Sequence, residues 1–108
     1  MTPLVWHPSA KQELVDQAEK FAQIDSKLVT RFNGLVNHYL RVIQEIPHAF
    51  HERRFEIRRA NLLPKFGDYY IAYLLWNERV VILALGHAKR RPYYFRDRFI
   101  EARRLSTG

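Results

Sequence analysis

From Leu28 to Ile46 apolar side chains return every third or fourth position: Leu28, Phe32, Leu35, Val36, Tyr39, Val42, Ile43 and Ile46 fall on one stripe. That spacing predicts an amphipathic helix. Asp25 or Ser26 stands where its cap is needed, and Pro47 stops it. An earlier helix is predicted from Ser9, with Gln12 completing a capping box and Leu14, Ala18 and Phe21 at helical spacing up to about Ile24. So little chain separates the two that they should fold back as an antiparallel hairpin. Gly34 costs the second helix roughly 1 kcal/mol relative to Ala, which implies close packing there or plain tolerance.

Elsewhere the period is two or less. Leu4-Val5-Trp6-His7 is short and bulky, a strand ended by Pro8. After the polar segment His48 to Arg54, Phe55-Glu56-Ile57-Arg58-Arg59-Ala60 alternates imperfectly and predicts a strand with one face toward the core. Leu62 to Asp68, with Pro64 and Gly67, reads as a connection. Tyr69 to Trp76 and Arg79 to His87 are apolar on both faces, hence central strands, and Asn77-Glu78 between them is short enough for a tight hairpin, although Glu78 is a poor second turn residue. The helical hairpin covers one face of that sheet. The segment from Pro92 onward, with Phe95 and Phe99 at i and i+4, supplies cover for the other as a short helix. The order is strand, helix, helix, three-stranded meander and terminal helix, an α+β fold with a mostly antiparallel sheet.

At 108 residues the chain makes one domain, 1–108, with a single core. It has no cysteine, so packing alone must hold it, and a cytoplasmic location is expected. The N-terminus lacks a signal-peptide pattern, and the longest apolar run falls far short of the ~20 residues that span a bilayer. Net charge changes the picture more. Residues 1–50 carry five Lys or Arg and five Asp or Glu, whereas residues 51–108 carry thirteen and six, so the whole net charge of +7 lies in the second half. Such asymmetry describes a neutral scaffold followed by a cationic working surface for nucleic acid, an acidic protein segment or an anionic membrane.

The densest part of that surface is Gly86 to Arg98, GHAKRRPYYFRDR. With HPSAKQEL opening the first helix, IQEIP ending the second, the strand FEIRRANL and the pair YYIAYLLW and VVILALGH, it resembles the RelE/ParE superfamily of toxins from bacterial type II toxin-antitoxin modules. Two features depart from the pattern: Phe66-Gly67-Asp68-Tyr69 replaces a frequent Phe-Pro-Tyr, and Tyr93 stands where relatives often carry Gly. The resemblance implies a growth-inhibiting toxin, often a plasmid-stabilisation element, neutralised by a cognate antitoxin. It also implies two alternative activities. RelE-like members cut messenger RNA on the ribosome, and ParE-like members inhibit DNA gyrase without catalysing a reaction. The long hairpin between Pro8 and Pro47, and His87 followed by Arg90, resemble the ParE-like branch.

Metal-independent RNA cleavage needs a base, an acid and cations around the phosphate. His87 titrates near neutrality in its unperturbed form and is a candidate for base or acid. Arg90 and Arg91 are candidates to hold a phosphate, with Arg58 and Arg59 converging from the first meander strand. Tyr94 falls where RelE-like members place a functional tyrosine, and an aromatic there could also stack a base. His87, Arg90 and Tyr94 are thus catalytic candidates only on the RelE-like reading. On either reading Arg58, Arg59, Lys89, Arg90, Arg91, Tyr93, Arg96 and Arg98 are candidates for target or nucleic-acid binding. Each has a plainer role open to it: a hydrogen-bonded strand end for His87, packing for Tyr93, Tyr94 and Phe95, a carboxylate partner for Arg58. Arg96, Arg98, Arg103 and Arg104 read as the wet face of the terminal helix, with Leu105 to Gly108 a disordered tail. His7, His38, His48 and His51 have no Cys or acidic partner at ligand spacing, so neither a metal nor a cofactor is expected. The antitoxin should bring acidic side chains on an amphipathic segment that orders on binding. No membrane partner is expected.

Overall fold

The computed structural model describes residues 1–105, apart from the side chains of Ala102, Arg104 and Leu105. The expectations for the Arg104 side chain and for the tail beyond Leu105 therefore lie outside the described residues, while Leu105 itself ends the last helix. The elements are β1 (Leu4–Trp6), α1 (Pro8–Ile24), α2 (Ser26–Glu45), β2 (Arg58–Leu62), β3 (Phe66–Trp76), β4 (Arg79–His87) and α3 (Arg98–Leu105). The sheet order is β1-β4-β3-β2, with β1 parallel to β4 and the other pairs antiparallel. This is the α+β arrangement that the pattern predicts.

Asp25 caps α2 as expected, its side chain accepting from the Lys27 amide. The start of α1 differs. Pro8 follows the end of β1, as expected, and is also the first helical residue, where its missing N–H costs nothing. The cap is His7, whose Nδ1 accepts from the Ser9 amide at 3.1 Å, while Gln12 turns along the helix to Asp16 instead of closing a capping box. Ile46 leaves the α2 stripe and is exposed, because the helix ends at Glu45. A Cβ on Gly34 would meet nothing within 4 Å, so tolerance, not close packing, accounts for that glycine.

The expected strand Phe55–Ala60 begins late. Arg54–Glu56 form a short 3-10 turn in which Phe55 and Glu56 take φ of 61° and 63°, left-handed values that no strand can contain. The expected connection Leu62–Asp68 is correspondingly shorter. Leu62 pairs with Phe66, so Phe66-Gly67-Asp68 opens β3. Asn77 and Glu78, at φ of 51° and 61°, make the two-residue hairpin between β3 and β4, with Trp76 opposite Arg79.

Each face of the sheet has a core. On the inner face Phe32 and Ile43 of α2 share a core with Ile71, Tyr73 and Ile82; on the outer face lie Ile57, Tyr70, Leu74, Leu83 and Phe95. Phe95 does cover the outer face, but from a succession of turns ahead of α3, which starts only at Arg98. One irregularity sets up the site. Ala72 pairs with Ala84 and Tyr73 with Ile82, so Leu83 is an extra residue in β4. This bulge puts Leu83 and Ala84 in the same outer core and returns Leu85 to the inner one, reversing which way the strand's last residues face.

Candidate functional site

His87 lies two residues beyond Leu85 and shares its face. It therefore packs toward α1, its ring edge-on to Tyr69 with centroids 4.5 Å apart. Its Nδ1 accepts from the Lys89 amide at 3.0 Å, which leaves Nε2 as its free nitrogen. Together with Arg90, Tyr69 and Leu85 it lines a groove whose other wall is α1, and that wall brings Glu13 and Asp16.

Glu13 organises the cluster. Its Oε2 accepts from the Tyr94 hydroxyl at 2.7 Å and from Arg90 Nη1 at 3.0 Å, while Oε1 accepts from Arg98 Nη1 at 2.8 Å. Arg98 Nη1 also donates to the Leu83 carbonyl at 2.9 Å, tying α3 to the bulge. The Arg90 guanidinium lies 3.6 Å from the centroid of the Tyr94 ring. Burial holds the Tyr94 hydroxyl's pKa well above the usual tyrosine value, with further upward push from the hydrogen bond to Glu13 and its charge, against the opposing pull of Arg90 and Arg98. Tyr94 thus keeps its proton for Glu13. Arg98 is mostly buried, an anchor and not the wet face of the terminal helix.

The remaining candidates divide between surfaces. Arg58 and Arg59 are neighbours on β2 and so point to opposite faces, instead of converging. Arg58 turns to the inner side, donating to the Phe50 carbonyl at 2.7 Å, with the Glu52 carboxylate 3.6 Å away. Arg59 lies on the outer side, its guanidinium 3.7 Å from the centroid of the Tyr70 ring. Burial raises the Tyr70 pKa, and Arg59 draws it partly back. Tyr93, at φ 56°, packs edge-on to Phe55 and beside Phe95. Lys89, Arg91 and Arg96 are exposed, and the last two border a shallow hollow with Tyr94 and Asp97. Among the described residues no group of His, Cys, Asp and Glu could hold a metal ion, and no helix is long and apolar enough to cross a membrane.

Sequence reasoning missed Glu13, which is separated from Tyr94 by 81 residues. Its one signal is position: it precedes Leu14 on the flank of the α1 face that Ala10 and Leu14 bury. His7 was also missed. Buried to 4% exposure, it caps α1 through Nδ1 and reaches Glu101 of α3 through Nε2 at 2.8 Å. With Nδ1 accepting, the proton must sit on Nε2, so one imidazole joins the start of the first helix to the last.

A family model described as the ParE toxin of type II toxin-antitoxin systems, parDE, matches residues 4–92. No curated protein matches the chain.

Proposed function

The chain belongs to the ParE toxin family of type II toxin-antitoxin systems, and from that premise we propose that it arrests growth by binding DNA gyrase, without catalysing a reaction of its own. Membership implies a cognate antitoxin that holds it inactive. The observation that carries the gyrase reading is the Glu13 carboxylate, which takes up Arg90, Tyr94 and Arg98 together. A ribonuclease centre needs those cations for the phosphate and needs a proton to give away. Here the cations face a carboxylate, and the phenol is spent on the same one. The groove beside His87 is walled by Glu13 and Asp16 as well as Lys20 and Arg90, so its charges balance and it offers an RNA backbone no net positive surface. On this reading Arg90, Tyr94 and Arg98 shape the C-terminal segment, and the exposed Lys89, Arg91 and Arg96 meet the target.

The alternative, ribosome-dependent cleavage of messenger RNA, would need Glu13 to withdraw from Arg90 and Tyr94 on the ribosome. Purified gyrase decides between them. The expected result is inhibited supercoiling that added antitoxin reverses; intact supercoiling at saturating protein, with cleavage of translated messages, would overturn the proposal. In the cytoplasm such a toxin would stabilise a plasmid that encodes both partners, since the antitoxin must be continually resupplied.

A further inference from the structure

Beside the outer core, against which Tyr93 packs, Phe55 and Tyr93 meet edge-on with ring centroids 5.7 Å apart. Both stand on left-handed backbone, at φ of 61° and 56°, a region that favours glycine and is costly for bulky residues. Phe55 is 38% exposed and belongs to neither core. A single exposed apolar side chain needs no explanation, but two rings brought together by strained backbone do, and such strain collects at binding sites. The surroundings are cationic. The guanidinium carbons of Arg54 and Arg96, from two separate segments, lie 5.1 and 5.6 Å from the centroid of the Phe55 ring. Arg53 adjoins the first segment, and Arg91 shares with Tyr93 and Arg96 a hollow that also holds Asp97. All four arginines are exposed, and among the described residues none of them forms an ion pair, although this chain pairs Arg58, Arg90 and Arg98 with carboxylates. Glu56, next to Phe55, is taken by Arg103 at 3.4 Å.

We infer that this patch is a platform for single-stranded DNA, on which a base stacks against Phe55 and Tyr93 while Arg53, Arg54, Arg91 and Arg96 hold the phosphates on either side. Aromatic rings among cations are how a single strand is gripped without regard to sequence, since every base has a flat face and every unit of the backbone a charge. Four separate cations suit a ligand that carries its charge unit by unit, whereas the carboxylate of a side chain needs only one of them. An open strand is required, because in a duplex the base faces are hidden from a ring that approaches from outside. The choice of DNA over RNA rests on the gyrase reading, since that target brings DNA with it. Arg91 and Arg96, among the cations that meet the target, thus contact the DNA that gyrase holds, and the toxin recognises enzyme and DNA together.

The test is fluorescence anisotropy of a labelled oligothymidylate of about 12 nucleotides titrated with the full chain. A duplex of the same length, an oligouridylate RNA and a glutamate peptide serve as comparisons. The single strand should bind about ten-fold or more tightly than the duplex. Phe55→Ala should abolish that preference, and R54Q combined with R96Q should lower the slope of log affinity against log salt by about 1.4, the share of two phosphate contacts on a single strand. Should Phe55→Ala fail to fold, the double arginine variant still decides. Equal affinity for strand and duplex, a folded Phe55→Ala with the parent's preference, an unchanged salt slope, tighter binding of the RNA, or equal binding of the glutamate peptide would overturn the inference. Binding is measured without gyrase, so failure here with supercoiling still inhibited strikes the platform alone, and intact supercoiling with the strand still bound strikes the gyrase reading alone.

Discussion

The hydroxyl of Tyr94 donates to Oε2 of Glu13 at 2.7 Å, joining the turn after the last strand to the first helix. Because the same carboxylate binds Arg98, whose side chain is only 18% exposed, its loss strands a poorly solvated cation. Glu13→Gln should destabilise the fold by about 2 kcal/mol and Tyr94→Phe by about 1 kcal/mol. Urea midpoints of the two variants and their combination measure this. The double variant should lose less than the sum, and strict additivity would mean that the bond contributes nothing.

Alkaline pH should weaken the protein through its buried phenols. Burial pushes the Tyr73 hydroxyl, bonded to the Pro47 carbonyl, up to about 12, and Tyr94 is raised as well. A raised folded-state pKa means that above about pH 10 the unfolded chain releases these protons while the folded chain keeps them. Stability is therefore full below pH 10 and falls as pH rises, by at most about 1.4 kcal/mol per pH unit for each group. Urea unfolding from neutral to alkaline pH should show the decline, and Tyr94→Phe should make it shallower. An unchanged slope in that variant would remove Tyr94 from the account.

Gly86 lies opposite Tyr70 in the sheet, and a Cβ there would clash with the hydroxyl end of the Tyr70 ring. Gly86→Ala must displace a ring that is 3% exposed and sits in the outer core, at an expected cost of about 2 kcal/mol or more. Gly34→Ala is the opposite case: with open space around it, the substitution should stabilise by about 1 kcal/mol. Thermal melts of both variants give the signs directly, and a neutral Gly86→Ala would mean that Tyr70 moves aside at little cost.

Replacing the exposed Lys89, Arg91 and Arg96 by glutamine should relieve growth inhibition and weaken gyrase binding, while stability changes by no more than about 0.5 kcal/mol per site. Binding by the parent chain should also fall with added salt. Full toxicity in the triple variant would shift the target surface elsewhere.

What the sequence made legible was periodic. The α2 stripe, the two-residue hairpin and the apolar central strands follow from local spacing, and the structure carries them with small changes at the ends. What it concealed depends on single irregularities. The left-handed Phe55 and Glu56 shorten a strand that alternation alone extends backward. Leu83 reverses the phase of β4, so His87 turns to α1 and away from Arg59, although a regular strand would have put both on the outer face. Glu13 was invisible for a related reason: nothing local distinguishes a carboxylate destined for a partner across the fold from one destined for water.

The position of β4 between β1 and β3 bears on how the protein comes into being during synthesis. The N-terminal strand has only one neighbour, and that neighbour is the last strand to be made. A nascent chain that has not reached Arg79 holds its helices and its first strand but has no ladder to join them to the meander. The cationic segment follows immediately after β4, so a product that stops before Arg79 carries neither the joining ladder nor the charges of that segment. A premature stop ahead of β4 thus leaves β1 and the helices with no strand to join them to β2 and β3, a fragment for proteolysis.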